Sequence, residues 1–339
     1  MNRWWARSSP AWASLRSKTL GNSASKKRRR SLLPEVPPAL AHSIVDNHTH
    51  IEIDGPGRSL DPADQRVSED PPGWRYPPTL GNQLVAMESA GIRAAITSGC
   101  EVPALDPTLA LAQQQPNIWA ALAIHPNEAA MHAGVREIAP DGLEPNPEPH
   151  HEQFSLDEAI AQVAQLAKAP EVVAVGETGL DYFRTGDAGK EAQIRSFREH
   201  IALAKELGKP MQIHDRDAHA DVVATLLADG APEGTVFHCF SGDAELAQIL
   251  AENGWYASFA GTVTYPANEF LREALAVLPP ELVLVETDAP YLTPVPYRGH
   301  PNAIWGSAYT ARALAEYRGV SEAEWCAQLD ANTRRVYGI

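Results

Sequence analysis

Eight apolar runs alternate with amphipathic stretches along this chain, and that alternation constrains its fold more than any other feature. The runs begin at Ser43 (SIVDNHTHI), Ile92 (IRAAITSGC), Ile118 (IWAALAIHP), Val172 (VVAVGETGLD), Lys209 (KPMQIHDR), Gly234 (GTVFHCF), Trp255 (WYASFAG) and Leu282 (LVLVETDAP). Between them, Lys190 to Gly208 repeats Ile194, Phe197, Ile201 and Leu203 at a helical period and ends on Gly208 and Pro210. Ser155 opens another helix, with Glu158 at capping-box spacing. Eight strands alternating with helices predict an α/β (β/α)8 TIM barrel. A doubly wound open sheet is the alternative, but no Gly-rich phosphate loop follows the first strand.

At 339 residues with 44% hydrophobic content, the chain fills one large core. Its three cysteines (Cys100, Cys239, Cys326) form no CxxC pair. This excludes a disulfide framework or Cys-rich zinc site and fits a cytoplasmic protein. No apolar run reaches about 18 residues, so no membrane span is expected. Nine of the 28 Lys and Arg residues, and none of the 43 acids, precede Glu35. Residues 1–42 are therefore read as a basic flexible leader and residues 43–339 as one TIM-barrel domain. The acidic body argues against coating a duplex electrostatically. A nucleic-acid substrate would be held locally.

Two Pro- and Gly-rich segments, Asp54 to Pro78 and Ala139 to Gln153, follow the first and third strands and are expected as long loops on the catalytic face. His150 and His151 fall in the second and are expected to be solvent-exposed.

The strand ends carry the chemistry. His48 and His50 stand two apart, so in a strand they share a face. Glu177, His214, His238 and Asp288 sit at the ends of the fourth, fifth, sixth and eighth runs. In a barrel all these ends meet at one rim. Four imidazoles and two carboxylates buried unpaired would be costly, and bound cations remove that cost. Six N/O ligands exceed one tetrahedral ion and suit two divalent cations about 3.5–4 Å apart. Imidazole favours zinc, and carboxylate suits magnesium or manganese. Asp46 and Glu52 share the His48 face but are not assigned as ligands.

The motifs DNHTHIE, AIHPNEA, AVGETGLDYF, QIHDRDA, FHCFSGD and LVETDAPYLTP, in this order and spacing, resemble those of the TatD-type metal-dependent deoxyribonucleases. The resemblance spans Ser43 to Ile339 and implies an amidohydrolase-like barrel with 3′→5′ exonuclease activity on DNA ends. It implies that His48, His50 and Asp288 hold one metal, that His214 and His238 hold a second, and that Glu177 bridges them. Asp288 would also accept a proton from the attacking water, and His125 would face the scissile phosphate. Arg298 and Asn302 match the family segment after the eighth strand, whereas His300 and Ala303 replace a cation and an acid. Arg298 and Arg216 are the candidate phosphate cations. Tyr182 and Phe183 are candidates for stacking on a base.

The same site type also suits ester or amide hydrolysis, as in an aminoacyl-tRNA deacylase or a lactonase. A weakly catalytic metal-binding interaction protein is the remaining alternative. Oligomeric state is open, with a monomer compatible.

Overall fold

Strands that pack on both faces leave no room for polar alternation, and the longest, β4 (Val172–Asp181), is buried at every position. The structure, a computed structural model, describes residues 32–51 and 78–339. Residues 54–77 of the first expected loop, and Glu52, lie outside the described residues. The other strands are β1 (Ile44–Thr49), β2 (Ile92–Gly99), β3 (Ile118–Leu122), β5 (Met211–Arg216), β6 (Thr235–Phe237), β7 (Tyr256–Phe259) and β8 (Val283–Val285). All eight are parallel neighbours in sequence order. Where β8 meets β1, the Asp288 N–H donates to the His48 carbonyl at 3.0 Å. The expected (β/α)8 barrel is present.

Adjacent strand residues split between two cores. Val45, Ile96, Ala121, Val173, Val236 and Leu284 fill the barrel interior, with Tyr337 packed against them. Ile44, Ile92, Ile118, Val172, Met211 and Phe237 face the helical layer. That layer comprises α1 (Leu80–Ser89), α2 (Val102–Gln114), α3 (Pro126–His132), α4 (Pro149–Gln153), α5 (Leu156–Leu166), α6 (Asp187–Leu207), α7 (His219–Asp229), α8 (Ala244–Asn253), α9 (Glu269–Val277), α10 (Ser307–Arg318) and α11 (Glu322–Tyr337). The long helix α6 stops at Gly208, whose φ of 62° is the left-handed cap. At α5, Ser155 and Glu158 form the reciprocal cap that their spacing implies.

Two expectations need correction. His150 and His151 are buried, because the segment around them folds into α4 and the Glu128 carboxylate on α3 accepts both Nε2 atoms, at 2.9 and 2.8 Å. Residues 32–42 do not behave as a leader. Leu33 and Leu40 are buried, and the Pro34 carbonyl accepts the indole N–H of fully buried Trp305 at 3.0 Å. Tyr309 and Arg312 donate to the carbonyls of Glu35 and Pro38. Basic composition ends before residue 32, and the apolar residues beyond it have a surface to cover.

Each buried leucine here contributes about 1.5–3 kcal/mol. A chain beginning at residue 43 is therefore expected to be about 3–6 kcal/mol less stable than one beginning at residue 32. Chemical denaturation of the two chains measures this, and coincident curves would reject the packing role.

Candidate metal centre

The rim geometry starts with the backbone. β4 pairs with β5 so that Gly179 lies opposite His214. Gly179 has a φ of 146°, and any Cβ there would run into the His214 carbonyl. The second glycine of GETG thus lets the strands that carry Glu177 and His214 close on each other. Asp288 takes a positive φ of 51°, rare for a non-glycine. The preceding turn is pinned by Asp46, which accepts the Thr287 N–H at 2.8 Å and the Thr287 hydroxyl at 2.6 Å. Asp46 therefore orients the site from behind.

The six expected side chains do converge. Glu177 divides them: its Oε1 lies 3.4 Å from His50 Nε2 and 3.9 Å from His48 Nε2. Its Oε2 lies 3.0 Å from His214 Nδ1 and 2.6 Å from His238 Nε2. Asp288 Oδ1 is 3.4 Å from His50 Nε2 and 3.9 Å from His48 Nε2. Ligands about a zinc ion with bonds of about 2.0–2.1 Å stand about 3.4 Å apart in a tetrahedron; the two His50 separations match that spacing, whereas His214 and His238 meet Glu177 at hydrogen-bond distance.

Hydrogen bonds behind the rings fix which nitrogen is bare. Gln212 donates its amide to the Asn47 carbonyl and to the Tyr337 hydroxyl, leaving its oxygen to accept from His48 Nδ1 at 2.8 Å. His50 Nδ1 donates to the Ser98 carbonyl at 3.2 Å. In the neutral rings both Nε2 lone pairs then face each other across 3.3 Å. Two acceptors at that distance need a cation or a proton between them. His238 turns Nδ1 to Glu286 at 3.4 Å, and His214 turns Nε2 to Asp181 at 3.3 Å. Such backing groups are the usual supports of metal-binding imidazoles. Neither oxygen of Asp288, 1% exposed, has a hydrogen-bond partner among the described residues. The donor set fits a divalent cation.

His125 is the exception that separates roles. It caps α3, its Nδ1 accepting the Asn127 N–H at 3.1 Å, so the proton sits on Nε2. That N–H is buried without a hydrogen-bond partner among the described residues and lies 4.0 Å from Glu177 Oε2. Burial and the neighbouring His214 push its pKa down to about 4, so it is a neutral donor at physiological pH.

Arg216 lies over the Phe183 ring at 3.9 Å and lines a cavity of about 210 Å³ with His214, His238 and Asn268. Tyr182 donates to Asp221 at 2.7 Å. Arg298 is exposed and stacks on Tyr265 at 4.3 Å. His300, which replaces the expected cation, donates instead to the Leu32 carbonyl at 3.0 Å. Gln212, Ser98, Asp181 and Glu286 were not singled out from sequence. Same-face spacing offered a signal for two of them: Gln212 lies two before His214, and Glu286 two before Asp288.

The family profile described as "TatD related DNase" matches residues 45–338. An uncharacterized metal-dependent hydrolase named TatD from Mycobacterium tuberculosis is 35% identical, over 87% of this chain and 98% of the relative. A protein from Enterobacter lignolyticus named 3′-5′ ssDNA/RNA exonuclease TatD is 31% identical, over 74% of this chain and 90% of its own length. The crystal structure of YJJV, a TatD homolog from Escherichia coli K12, superposes with a TM-score of 0.67 at 26% identity, covering 87% of this chain and 98% of that one.

Without a cation, burial would lower the pKa of His50 and His214. The carboxylates of Asp288 and Glu177 beside His50, and of Asp181 and Glu177 beside His214, outweigh it and hold them at about 10 and about 9. Both rings thus keep protons at neutral pH that an entering cation must displace. Cation affinity is expected to rise with pH and to level off only above about 9 to 10. Calorimetric titration with Zn²⁺ or Mn²⁺ at several pH values, in buffers of different ionisation enthalpy, reads the protons released. Affinity flat between pH 6 and 8 would contradict these assignments.

Proposed function

This chain belongs to the TatD family of metal-dependent hydrolases, and from that premise we propose that its rim cleaves phosphodiester bonds at the 3′ ends of single-stranded DNA. The observation that carries the reading is the His125 tautomer. It sets a neutral N–H donor beside a carboxylate flanked by two pairs of imidazole nitrogens. A phosphoryl group needs such a donor alongside cation sites. The relative named as an ssDNA/RNA exonuclease supports it, and extends the candidate substrates to RNA.

In this reading His48, His50 and Asp288 would hold one divalent cation and His214 and His238 a second, with Glu177 available to both groups. Magnesium, manganese or zinc would supply, when bound there, activation of a water and neutralisation of charge on the phosphoryl oxygens. Asp288 accepts the proton of the attacking water. Its backbone bond to His48 and the Asp46–Thr287 clamp keep its carboxylate aimed while it does so. His125 donates from Nε2 to a non-bridging oxygen of the scissile phosphate. Glu177, with its N–H donated to the Ser98 hydroxyl at 3.1 Å, keeps the two imidazole pairs in register. Arg216, stacked on Phe183 in the cavity wall, steadies the strand backbone. Arg298, on the exposed loop after β8, meets phosphates further along the strand.

Asp288→Asn is expected to lower kcat on 3′-labelled single strands by about 10²–10⁴-fold while the barrel stays folded. Turnover at the wild-type level in rigorously purified variant would sink the role of Asp288. His125→Ala is expected to cost about 10²–10³-fold in kcat with bound metal unchanged. Metal loss in step with activity would make His125 a ligand. Assaying single-stranded DNA, RNA, an aminoacyl-tRNA and a lactone side by side tests the bond class. Faster turnover of either of the last two would overturn the nuclease reading.

A further inference from the structure

A second cluster of ligand-type side chains lies outside the rim. Glu128 and His132 stand one turn apart on α3, and His150 and His151 face them from α4. One ligand atom from each of the four lies within 4.8 Å of all the others. The rings crowd together, with His132 centred 5.5 Å from His150 and 5.0 Å from His151. Nothing in the proposed hydrolysis uses them.

The tautomers assign their roles. His132 Nδ1 donates to the Phe154 carbonyl at 2.7 Å, which leaves Nε2 with a bare lone pair. That nitrogen is buried and has no hydrogen-bond partner among the described residues, on a residue only 7% exposed. An unsatisfied acceptor in the interior is costly. His151 is fixed the other way: the Glu148 N–H donates to its Nδ1 at 2.7 Å, so its Nε2 carries the proton. It donates that proton to Glu128 Oε2 at 2.8 Å and so aims the carboxylate. His150 Nε2 reaches the same oxygen at 2.9 Å, a place where a cation can replace the proton.

We propose that His132, His150 and Glu128 form a further zinc site, with His151 as the donor that orients the carboxylate and water completing the coordination. Two imidazoles and a carboxylate without thiolate are a zinc-type donor set. The carboxylate is already aimed at the cluster, with His150 and His151 Nε2 both on Oε2. An occupied site would clamp residues 139–153 onto α3, whose N-cap is His125. It is thus a structural pin beside the rim, and it stands or falls independently of the nuclease reading.

The test uses the full chain, stripped with chelator and titrated with Zn²⁺. His132→Gln combined with His150→Gln is expected to bind one equivalent less than the unsubstituted chain. A variant with His48, His50, His214 and His238 all changed to Ala is expected to retain one equivalent that this pair of substitutions removes. Equal zinc content with and without His132→Gln and His150→Gln would overturn the proposal and leave a hydrogen-bonded cluster. Should these variants fold poorly, anomalous diffraction at the zinc edge from crystals of the unsubstituted chain decides. A peak between His132, His150 and Glu128 supports the site, and none at saturating Zn²⁺ overturns it.

Discussion

The burial of Glu177 between two pairs of imidazoles is the constraint on which the rest of the rim depends. An anion at 2% exposure is tolerated only where positive charge meets both of its oxygens. Burial alone would raise its pKa, yet the charge on His238 and the hydrogen bonds from His214, His238 and His50 drive it well below the usual carboxylate range. That single requirement brings the ends of β1, β4, β5 and the β6 exit to one point. The barrel supplies the convergence at no further cost, because parallel strands in closed order end at a common rim. The glycine beside His214 then follows, since any side chain there would hold β4 away from β5.

A second layer of polar contacts turns a group of histidines into distinct tools. Gln212, the Ser98 carbonyl, Glu286 and Asp181 each engage the far side of one ring. Each leaves the near nitrogen for a cation. At His125 the backbone N–H of Asn127 reverses the arrangement and leaves a donor. The chain thus sets ligand or proton donor by whether the distal partner accepts or donates. The same rule separates His132 from His151 outside the rim.

Much of this was legible in the sequence, for a definable reason. The eight strands appear as uninterrupted apolar runs because they are buried on both faces, and each candidate ligand interrupts or ends a run. His48, His50, His214 and His238 could therefore be placed by strand geometry alone. The backing groups were harder. Gln212 and Glu286 obey the same two-residue period, but a lone polar residue in a strand does not announce what it faces. His150 and His151 were misjudged because prolines and acids around them signal a solvated loop, while Glu128, which buries them, is more than twenty residues away. The boundary near residue 32 was missed because charge marks where the basic stretch ends. It does not mark where Leu33 and Leu40 find apolar partners.

The charge balance bears on how a polyanion is handled in the proposed reading. A chain with formal net charge −15 repels nucleic acid over most of its surface. Attraction must then come from the rim, where cations bound to six neutralised ligands reverse the local sign, and from the few arginines beside it. Such a surface grips one or two phosphates and cannot track a long duplex, since each added phosphate contact would need its own cation. His300 sharpens the point: where the family segment carries a cation, the side chain here fastens residue 32 to the loop after β8. Weak contact away from the rim matches an enzyme that takes a strand by its end, where one phosphodiester enters and the rest of the polymer stays in solvent.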